Sequence, residues 1–409
     1  MEVQPNTKSK PLSQEGRKRL YRVLGNNLLG YKIQADYLQA QLQHTEEANS
    51  EIMYRMTIIG MDLCASVRAC LISENLYERR YHIKYLWVDL YEAYNAFYGD
   101  GNDDNSYFAK WEKANPHIKE DGGYDSVVKK LNDLRETLNI KIHDERNSYV
   151  HYDEDPIKTT QYLLIINSED EPTQRVCDLL EVFELVKNIC ERQHKLKIEE
   201  SLSAFSAMSI IMRGLRSKLR SDMDLVQGVN EVIEGAENKL KDAMLSYNFF
   251  TIMPFENYGE IKHLIQAHLL IQIVRADLAA AVRAFLYAES EIESMLHIRR
   301  AIIIRQAGAE HLKNIFEKLS TVSVRGADKN MIESIGVASP RNTRNKLVHY
   351  RYGKKDYIKK FYSYCSDEIK MMTSLTEIVY LLNDLNTLEW SLTQILRDAH
   401  EMENESNLK

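Results

Sequence analysis

The chain has 409 residues, of which 44% are hydrophobic and 28% charged, which is typical of a water-soluble globular protein with two or three domains. Its net charge of −7 argues against a protein that binds nucleic acid over its whole surface, so an RNA contact needs a local basic patch. Because prolines and glycines are few, long uninterrupted helices are expected.

The start of the chain and its most apolar stretch favour a cytoplasmic protein. The first twenty residues lack the apolar core of a signal peptide, and residues 1–12 are polar enough to form a loose end. Residues 268–286 are the most apolar stretch, but Arg275, Asp277 and Arg283 interrupt it. A buried amphipathic helix is therefore predicted there rather than a membrane span.

The cysteines indicate a reducing compartment. Their number is odd, they lie in helix-like segments and they include no C-x-x-C pair, so we expect reduced thiols and no zinc site. They are Cys64, Cys70, Cys177, Cys190 and Cys365. No metal and no cofactor is expected elsewhere in the chain.

A segment of 23 residues occurs twice, 215 positions apart. Residues 61–83 and 276–298 are identical at 11 of these positions without a gap. The identical pairs are Asp62/Asp277, Leu63/Leu278, Ala65/Ala280, Val67/Val282, Arg68/Arg283, Ala69/Ala284, Leu71/Leu286, Glu74/Glu289, Glu78/Glu293, His82/His297 and Ile83/Ile298. Because Leu63, Val67 and Leu71 recur at helical spacing, each copy is predicted to be one helix on a core.

Most of the remaining elements are also predicted to be helical. Residues 98–124 are rich in Gly, Asp and Asn and predict a loop with a short helix. Only residues 161–167 look strand-like, and one strand makes no sheet. Helical patterns occupy 175–193 and 368–396, and a long helical stretch from about 200 to 247 connects the two copies.

The sequence thus predicts an all-α protein of two tandem bundles, with four or five helices each, related by a pseudo-twofold axis. The first repeat covers residues 13–199, and the second repeat, which includes the connecting helix, covers residues 200–400. Loose ends are expected at 1–12 and 401–409.

A polar heptad follows each copy of the repeated segment. Residues 146–152 read RNSYVHY and residues 344–350 read RNKLVHY. Arginine binds phosphate oxygens bidentately, and histidine exchanges protons near neutral pH. We expect each heptad at a helix start, where backbone N–H groups also bind anions. A purely structural role, with Arg and Asn as capping residues, remains the alternative, but it does not require the histidine twice.

The motif R-N-x-x-x-H inside an α-helical bundle resembles the HEPN domain (higher eukaryotes and prokaryotes nucleotide-binding). The resemblance covers about 50–195 and 265–400, which is most of the chain. It implies a tandem pair of bundles with a composite, metal-independent ribonuclease site. Family members of this kind act in toxin–antitoxin, abortive-infection and other antiviral systems.

The resemblance assigns roles to both heptads. The catalytic residues would be Arg146, His151, Arg344 and His349. The supporting residues would be Asn147, Asn345, Tyr152, Tyr350, Glu78 and Glu293. Two imidazoles would serve as base and acid, and two guanidiniums would hold the phosphate while the 2′-OH of RNA attacks it.

A stripe of acidic and histidine side chains also recurs in the repeated segment. It comprises Glu74, Glu78 and His82 in the first copy and Glu289, Glu293 and His297 in the second. Their i, i+4, i+8 spacing predicts one face of one helix. We interpret them as residues that orient the Arg–His pairs or as a solvated face, in preference to a metal site.

The charge around the two heptads differs in sign. Residues 341–360 contain eight basic residues and one acidic residue, a net charge of +7, whereas residues 144–158 contain two basic and five acidic, a net charge of −3. RNA would enter along the basic segment, where Tyr and Phe side chains could stack on bases, although an ordinary solvated loop is an equal alternative. The candidate RNA-binding residues are Arg341, Lys346, Arg351, Lys354 and Lys355.

Three functions remain open from the sequence. The first is a metal-independent endoribonuclease that is held in check by an inhibitor, a sensor protein or a guide RNA. The second is a non-catalytic HEPN-type module that binds RNA or a nucleotide. The third is a plain helical interaction protein. In each case the two repeats are expected to form an intrachain pseudo-dimer, and a homodimer is also compatible with the sequence.

Overall fold

The computed structural model describes residues 13–42, 48–99, 105–151, 156–166, 168–194, 204–252, 258–319 and 368–406. Within these ranges the chain forms twelve α-helices, one short 3₁₀ helix and no strand, so the predicted all-α fold is confirmed. None of the described helices is both long enough and apolar enough to cross a membrane.

The first repeat contributes seven α-helices. They are α1 (Gln14–Leu42), α2 (Ala48–Ile72), α3 (Leu76–Phe97), α4 (Tyr107–Ala114), α5 (Tyr124–His151), α6 (Pro156–Ile165) and α7 (Asp170–His194), with the 3₁₀ helix Pro116–Glu120 before α5. Within the described residues, the second repeat contributes five. They are α8 (Ala204–Arg220), α9 (Met223–Ile252), α10 (Tyr258–Tyr287), α11 (Glu291–Leu319) and α12 (Glu368–Ser406).

The repeated segment is a helix–turn–helix unit, so the prediction of one continuous helix is wrong. The first copy spans the end of α2 and the start of α3, and the second spans the end of α10 and the start of α11. The side chain of Asn75 caps α3 by accepting hydrogen bonds from the backbone N–H groups of Tyr77 and Glu78. Ser290 and Glu293 form a reciprocal capping box at α11. The apolar spacing continues across both turns, which is why periodicity alone hides them.

Two further elements differ from or refine the prediction. The strand-like run at 161–167 belongs largely to α6, which starts at Pro156, a residue suited to the first helical position. Its buried residues Ile157, Thr160 and Leu163 follow helical spacing. The helical stretch from about 200 to 247 is two helices, α8 and α9, separated by a break at residues 221–222.

Other expectations fall partly within the described residues. The loop predicted at 98–124 contains α4 and the 3₁₀ helix. Four of the cysteines, Cys64, Cys70, Cys177 and Cys190, are free thiols inside helices, as predicted. Helix α12 continues through Ser406, within the range 401–409 where a loose end was expected. Residues 1–12, residues 195–203 at the repeat boundary, and Cys365 lie outside the described residues.

The two repeats use their helices in the same way. Helix α1 packs on α2 as α9 packs on α10, and α7 packs on α2 and α3 as α12 packs on α10 and α11. Across the repeats, α2 contacts α11 and α3 contacts α10. We call the surface where α2 and α3 meet α10 and α11 the junction. The buried apolar residues of both repeats form one continuous cluster, so burial of apolar area helps to hold the repeats together.

The close approach of α10 and α11 depends on Gly308. A Cβ atom there would lie 2.5 Å from Cγ1 of Val274, which is too close for carbon atoms. We expect Gly308→Ala to lower the free energy of unfolding by about 1–3 kcal/mol, as overpacking does. The exposed Gly228 of α9 has no heavy atom within 4 Å of such a Cβ, so Gly228→Ala should raise stability by up to about 1 kcal/mol. Urea unfolding of both variants measures this, and equal effects would contradict it.

Candidate functional site at the junction

The first heptad lies at a helix end, not at a helix start. Arg146, Asn147 and His151 belong to the last two turns of α5, which ends at His151. Here the sequence expectation is wrong, because the C-terminal end of a helix presents carbonyl groups and the negative end of its dipole. Backbone N–H groups of α5 therefore do not help to bind a phosphate at this heptad.

The second heptad cannot be placed in the same way. Arg344, Asn345, His349 and Tyr350, together with Tyr152 of the first heptad, lie outside the described residues. The same holds for the predicted RNA-binding residues Arg341, Lys346, Arg351, Lys354 and Lys355. Their roles remain predictions from the sequence.

Glu78 and Glu293 are placed by contacts across the junction. In one direction, Nε of Arg68 on α2 donates to Oε1 of Glu293 on α11 over 2.8 Å. In the other, NH1 of Arg283 on α10 lies 3.6 Å from Oε2 of Glu78 on α3. The two arginines are equivalent residues of the repeat, and so are the two glutamates. Each repeat therefore contributes the equivalent arginine and the equivalent glutamate to ion pairs with the other repeat.

A second set of ion pairs between equivalent residues of the two repeats lies deeper in the junction. Arg299 of α11 pairs with Asp62 of α2, and Lys84 of α3 pairs with Asp277 of α10. The hydroxyl of Tyr77 also donates to Asp277 over 2.9 Å. Lys84 and Asp277 have no exposed side-chain surface. Burial lowers the pKa of Lys84, and the Asp277 carboxylate acts in the opposite direction by favouring the charged ammonium.

The equivalent histidines meet between these pairs. The rings of His82 and His297 are 5.6 Å apart between centroids and approach edge to face. Both are almost fully buried. Burial lowers the pKa of each imidazole well below its ordinary value, and Arg300 lowers it further; His297 and Arg283 also act on His82. Both rings are therefore neutral at pH 7.

One part of the junction has no counterpart in the other repeat. Asp89 of α3 accepts hydrogen bonds from Ser66 and from NH2 of Arg300, over 2.7 and 2.5 Å. The residues equivalent to Asp89 and Ser66 are Ile304 and Ala281, which cannot make these contacts. The two sides of the junction thus share a common frame but differ in their chemistry.

A cavity of about 160 Å³ opens at the junction, and it brings the predicted acidic and histidine stripe of both repeats together. Twelve of its lining residues form six equivalent pairs, and the remaining one is Arg283. The pairs are Ala69/Ala284, Ile72/Tyr287, Ser73/Ala288, Glu74/Glu289, Glu78/Glu293 and His82/His297. Glu74 and Glu289 lie in the turns before α3 and α11 and are exposed, so the predicted stripe is not confined to one helix.

In the described ranges, no three or more His, Cys, Asp or Glu side chains are arranged to hold a metal ion. A comparison of the chain with protein-family models, with curated proteins and with solved structures finds no match.

The sequence contained a signal for the junction that its interpretation missed. All five polar identities of the repeated segment line the junction: Asp62/Asp277, Arg68/Arg283, Glu74/Glu289, Glu78/Glu293 and His82/His297. Charged residues repeated within apolar helices need buried partners, and the partner is the other copy. Lys84 and Arg299 were overlooked because they stand one position beyond the identical segment and are not identical.

The Lys84–Asp277 pair provides a direct test of the junction. Asp277→Leu removes the carboxylate that offsets the charge of the fully buried Lys84 ammonium, so we expect it to cost about 3–5 kcal/mol of unfolding free energy. Adding Lys84→Met should recover much of this loss, because it removes the buried charge. The control is Glu181→Gln, which removes an exposed ion pair with Lys130 and should cost less than about 1 kcal/mol. Additive losses in the double variant would contradict the pairing.

The buried histidines predict a pH dependence of stability. Their pKa values are lowered in the folded chain, so below about pH 6.5 the unfolded chain binds protons that the folded chain does not. Stability is then fully present above that pH and falls as the pH drops, by about 1.4 kcal/mol per pH unit for each histidine. Urea unfolding between pH 7.5 and 5 should show a flatter slope for His82→Gln and His297→Gln.

His117 provides the control for this measurement, since its side chain is exposed. His117→Gln should leave the slope unchanged. An unchanged slope in the two junction variants would contradict the assignment of neutral buried imidazoles.

Proposed function

We propose that the chain is a metal-independent endoribonuclease whose single active site is composed of its two heptads. The observation that carries the proposal is the reciprocal exchange at the junction, where Arg68–Glu293 and Arg283–Glu78 relate equivalent residues of the two repeats. Such an exchange is what isologous pairing about a pseudo-twofold axis requires. We therefore propose a pseudo-twofold axis together with the composite site.

The pairing of the repeats gives a reason for two heptads in one chain. Helix α5, which ends in the first heptad, contacts α11 of the second repeat as well as α3 and α7 of its own. A pseudo-twofold axis through the junction relates the first heptad to the second. If both heptads lie near that axis, Arg146 and His151 face Arg344 and His349 across a phosphate.

The proposed chemistry is transesterification of RNA. One histidine takes the proton of the 2′-OH, whose oxygen then forms a bond to the adjacent phosphorus. The bond from phosphorus to the 5′-oxygen breaks, and the other histidine gives that oxygen a proton. The two arginines stabilise the additional negative charge on the phosphorane. The products are a 2′,3′-cyclic phosphate and a free 5′-OH.

Several finer elements of the proposal come from the resemblance to HEPN proteins and from the chemistry of RNA cleavage. An unrestrained ribonuclease damages its own cell, so we propose that an inhibitor, a sensor protein or a guide RNA controls the chain. A cytoplasmic role in a toxin–antitoxin or antiviral system follows from the same resemblance.

End-group analysis of cleaved RNA tests this function. We expect the purified chain to cut RNA but not DNA, in excess EDTA, and to leave a cyclic phosphate (or the 3′-phosphate from its hydrolysis) and a 5′-OH. His151→Ala or His349→Ala alone should abolish cleavage, because residues of one composite site act as a unit. Arg146→Lys should not restore it, since lysine lacks the bidentate fork.

The matched control is His117→Ala, which removes an exposed histidine outside the heptads and should cleave normally. A 5′-phosphate formed only with added magnesium would contradict the mechanism. RNA that binds without being cut, with binding lost in Arg146→Ala, would favour the non-catalytic alternative.

A further inference from the structure

The equivalent carboxylates of Glu293 and Glu78, which both line the junction cavity, differ in their hydrogen-bond donors. Glu293 accepts from Arg68 at one oxygen, and its other oxygen accepts from the backbone N–H groups of Glu289 and Ser290 and from the Ser290 hydroxyl, over 2.9 to 3.1 Å. Among the described residues, the equivalent Glu78 has only the Arg283 guanidinium, at 3.6 Å. That distance is longer than a hydrogen bond.

Glu78 therefore lacks the donors that a buried carboxylate requires. It is 7% exposed, and burial raises its pKa because the charged form is poorly solvated there. The residue equivalent to Ser290 in the first repeat is Asn75, which has an amide in place of the serine hydroxyl. The reciprocal capping box that Ser290 forms with Glu293 is therefore not reproduced at Glu78. Glu78 lines the cavity, and the Arg283 contact is too long to be a hydrogen bond.

A second polar group in the cavity also lacks a hydrogen-bond partner among the described residues. It is Nδ1 of His297, a residue that is 3% exposed and lines the cavity. In the neutral imidazole one ring nitrogen carries the proton and the other carries a lone pair. In the tautomer that leaves the lone pair on Nδ1, Glu78 and His297 together suit a donor that carries positive charge.

The charges on the rim point the same way. The exposed carboxylates of Glu74 and Glu289 stand at the cavity, and Glu289 is paired with Arg68 over 2.7 Å. Among the described lining residues Arg283 is the single guanidinium, and it lies 3.6 Å from Glu78. Each side has two carboxylates and one arginine, Glu74 and Glu78 with Arg283 and Glu289 and Glu293 with Arg68, so both sides are negative, with a net charge of −1 each.

The rest of the described lining is apolar apart from the hydroxyl groups of Ser73 and Tyr287. Ala69, Ile72, Ala284, Tyr287 and Ala288 surround the carboxylates and the histidines. With a volume of about 160 Å³, the cavity has room for a small organic molecule. Apolar walls with a few polar groups are typical of small-molecule sites.

We propose that this cavity binds a short aliphatic amine, with a primary ammonium held by Glu78 and His297 and the alkyl chain lying against the alanine and isoleucine side chains. An ammonium has three donors, which suits both acceptors at once. A second ammonium on the same chain would reach the rim carboxylate of Glu74. The ligand contacts both repeats and therefore stabilises their pairing. The site does not depend on the proposed ribonuclease activity.

Titration calorimetry and thermal unfolding of the full chain test the site with a matched pair of probes, 1,4-diaminobutane and 1,4-butanediol. We expect the diamine to bind and to raise Tm, and the diol, which has the same length without charge, to do neither. Glu78→Gln should weaken diamine binding at least about tenfold, because it removes a charge-assisted hydrogen bond.

Two further variants make the test independent of folding. Glu74 is exposed, so Glu74→Gln keeps the fold and should weaken binding by about two- to fivefold. Glu181→Gln, on the exposed face of α7, removes a carboxylate away from the cavity and should bind the diamine as the parent chain does. Equal binding of the diol, binding of zinc or magnesium ions in place of the diamine, no binding, or unchanged affinity in Glu74→Gln would each overturn the proposal.

Discussion

The structure depends on charges that each repeat buries and cannot satisfy alone. Lys84 has no exposed surface, and its partner Asp277 is contributed by the other repeat. Arg299 and Asp62, the residues equivalent to Lys84 and Asp277, form the corresponding pair in the opposite direction. An ion left alone in such a place costs several kcal/mol, whereas apolar surfaces alone would tolerate sliding of one helix pair over the other. The exchanged ion pairs therefore specify the register in which α2 and α3 meet α10 and α11.

The other features of the junction follow from that register. It places the equivalent histidines 5.6 Å apart and surrounds one cavity with equivalent residues of both repeats. It also makes the two repeats unequal, because Asp89 and Arg300 add a network on one side and Glu78 lacks the donors of Glu293 on the other. A duplicated chain can change one copy while the other keeps the frame, which a homodimer cannot do.

The sequence predicted the helical class because apolar residues at helical spacing leave a periodic pattern. The turn inside the repeated segment escaped prediction, since capping by Asn75 and Ser290 acts within an apolar spacing that continues through it. The position of the first heptad at the end of α5 also escaped, because Asn suits helix starts by local preference. The partners of Glu78 and Glu293 could not be read from spacing, since they depend on contacts between residues more than two hundred positions apart.

The most direct test of the account is the distance between the two heptads in solution. Spin labels at Ser148→Cys and Leu347→Cys, with Cys177 and Cys365 replaced by serine, report that distance by pulsed electron paramagnetic resonance on dilute protein. If the junction joins the heptads into one site, the main separation should lie below about 22 Å, the radius of gyration of a compact chain of this length. A main separation near roughly 45 Å, twice that radius, would place the heptads on opposite sides and contradict a composite site.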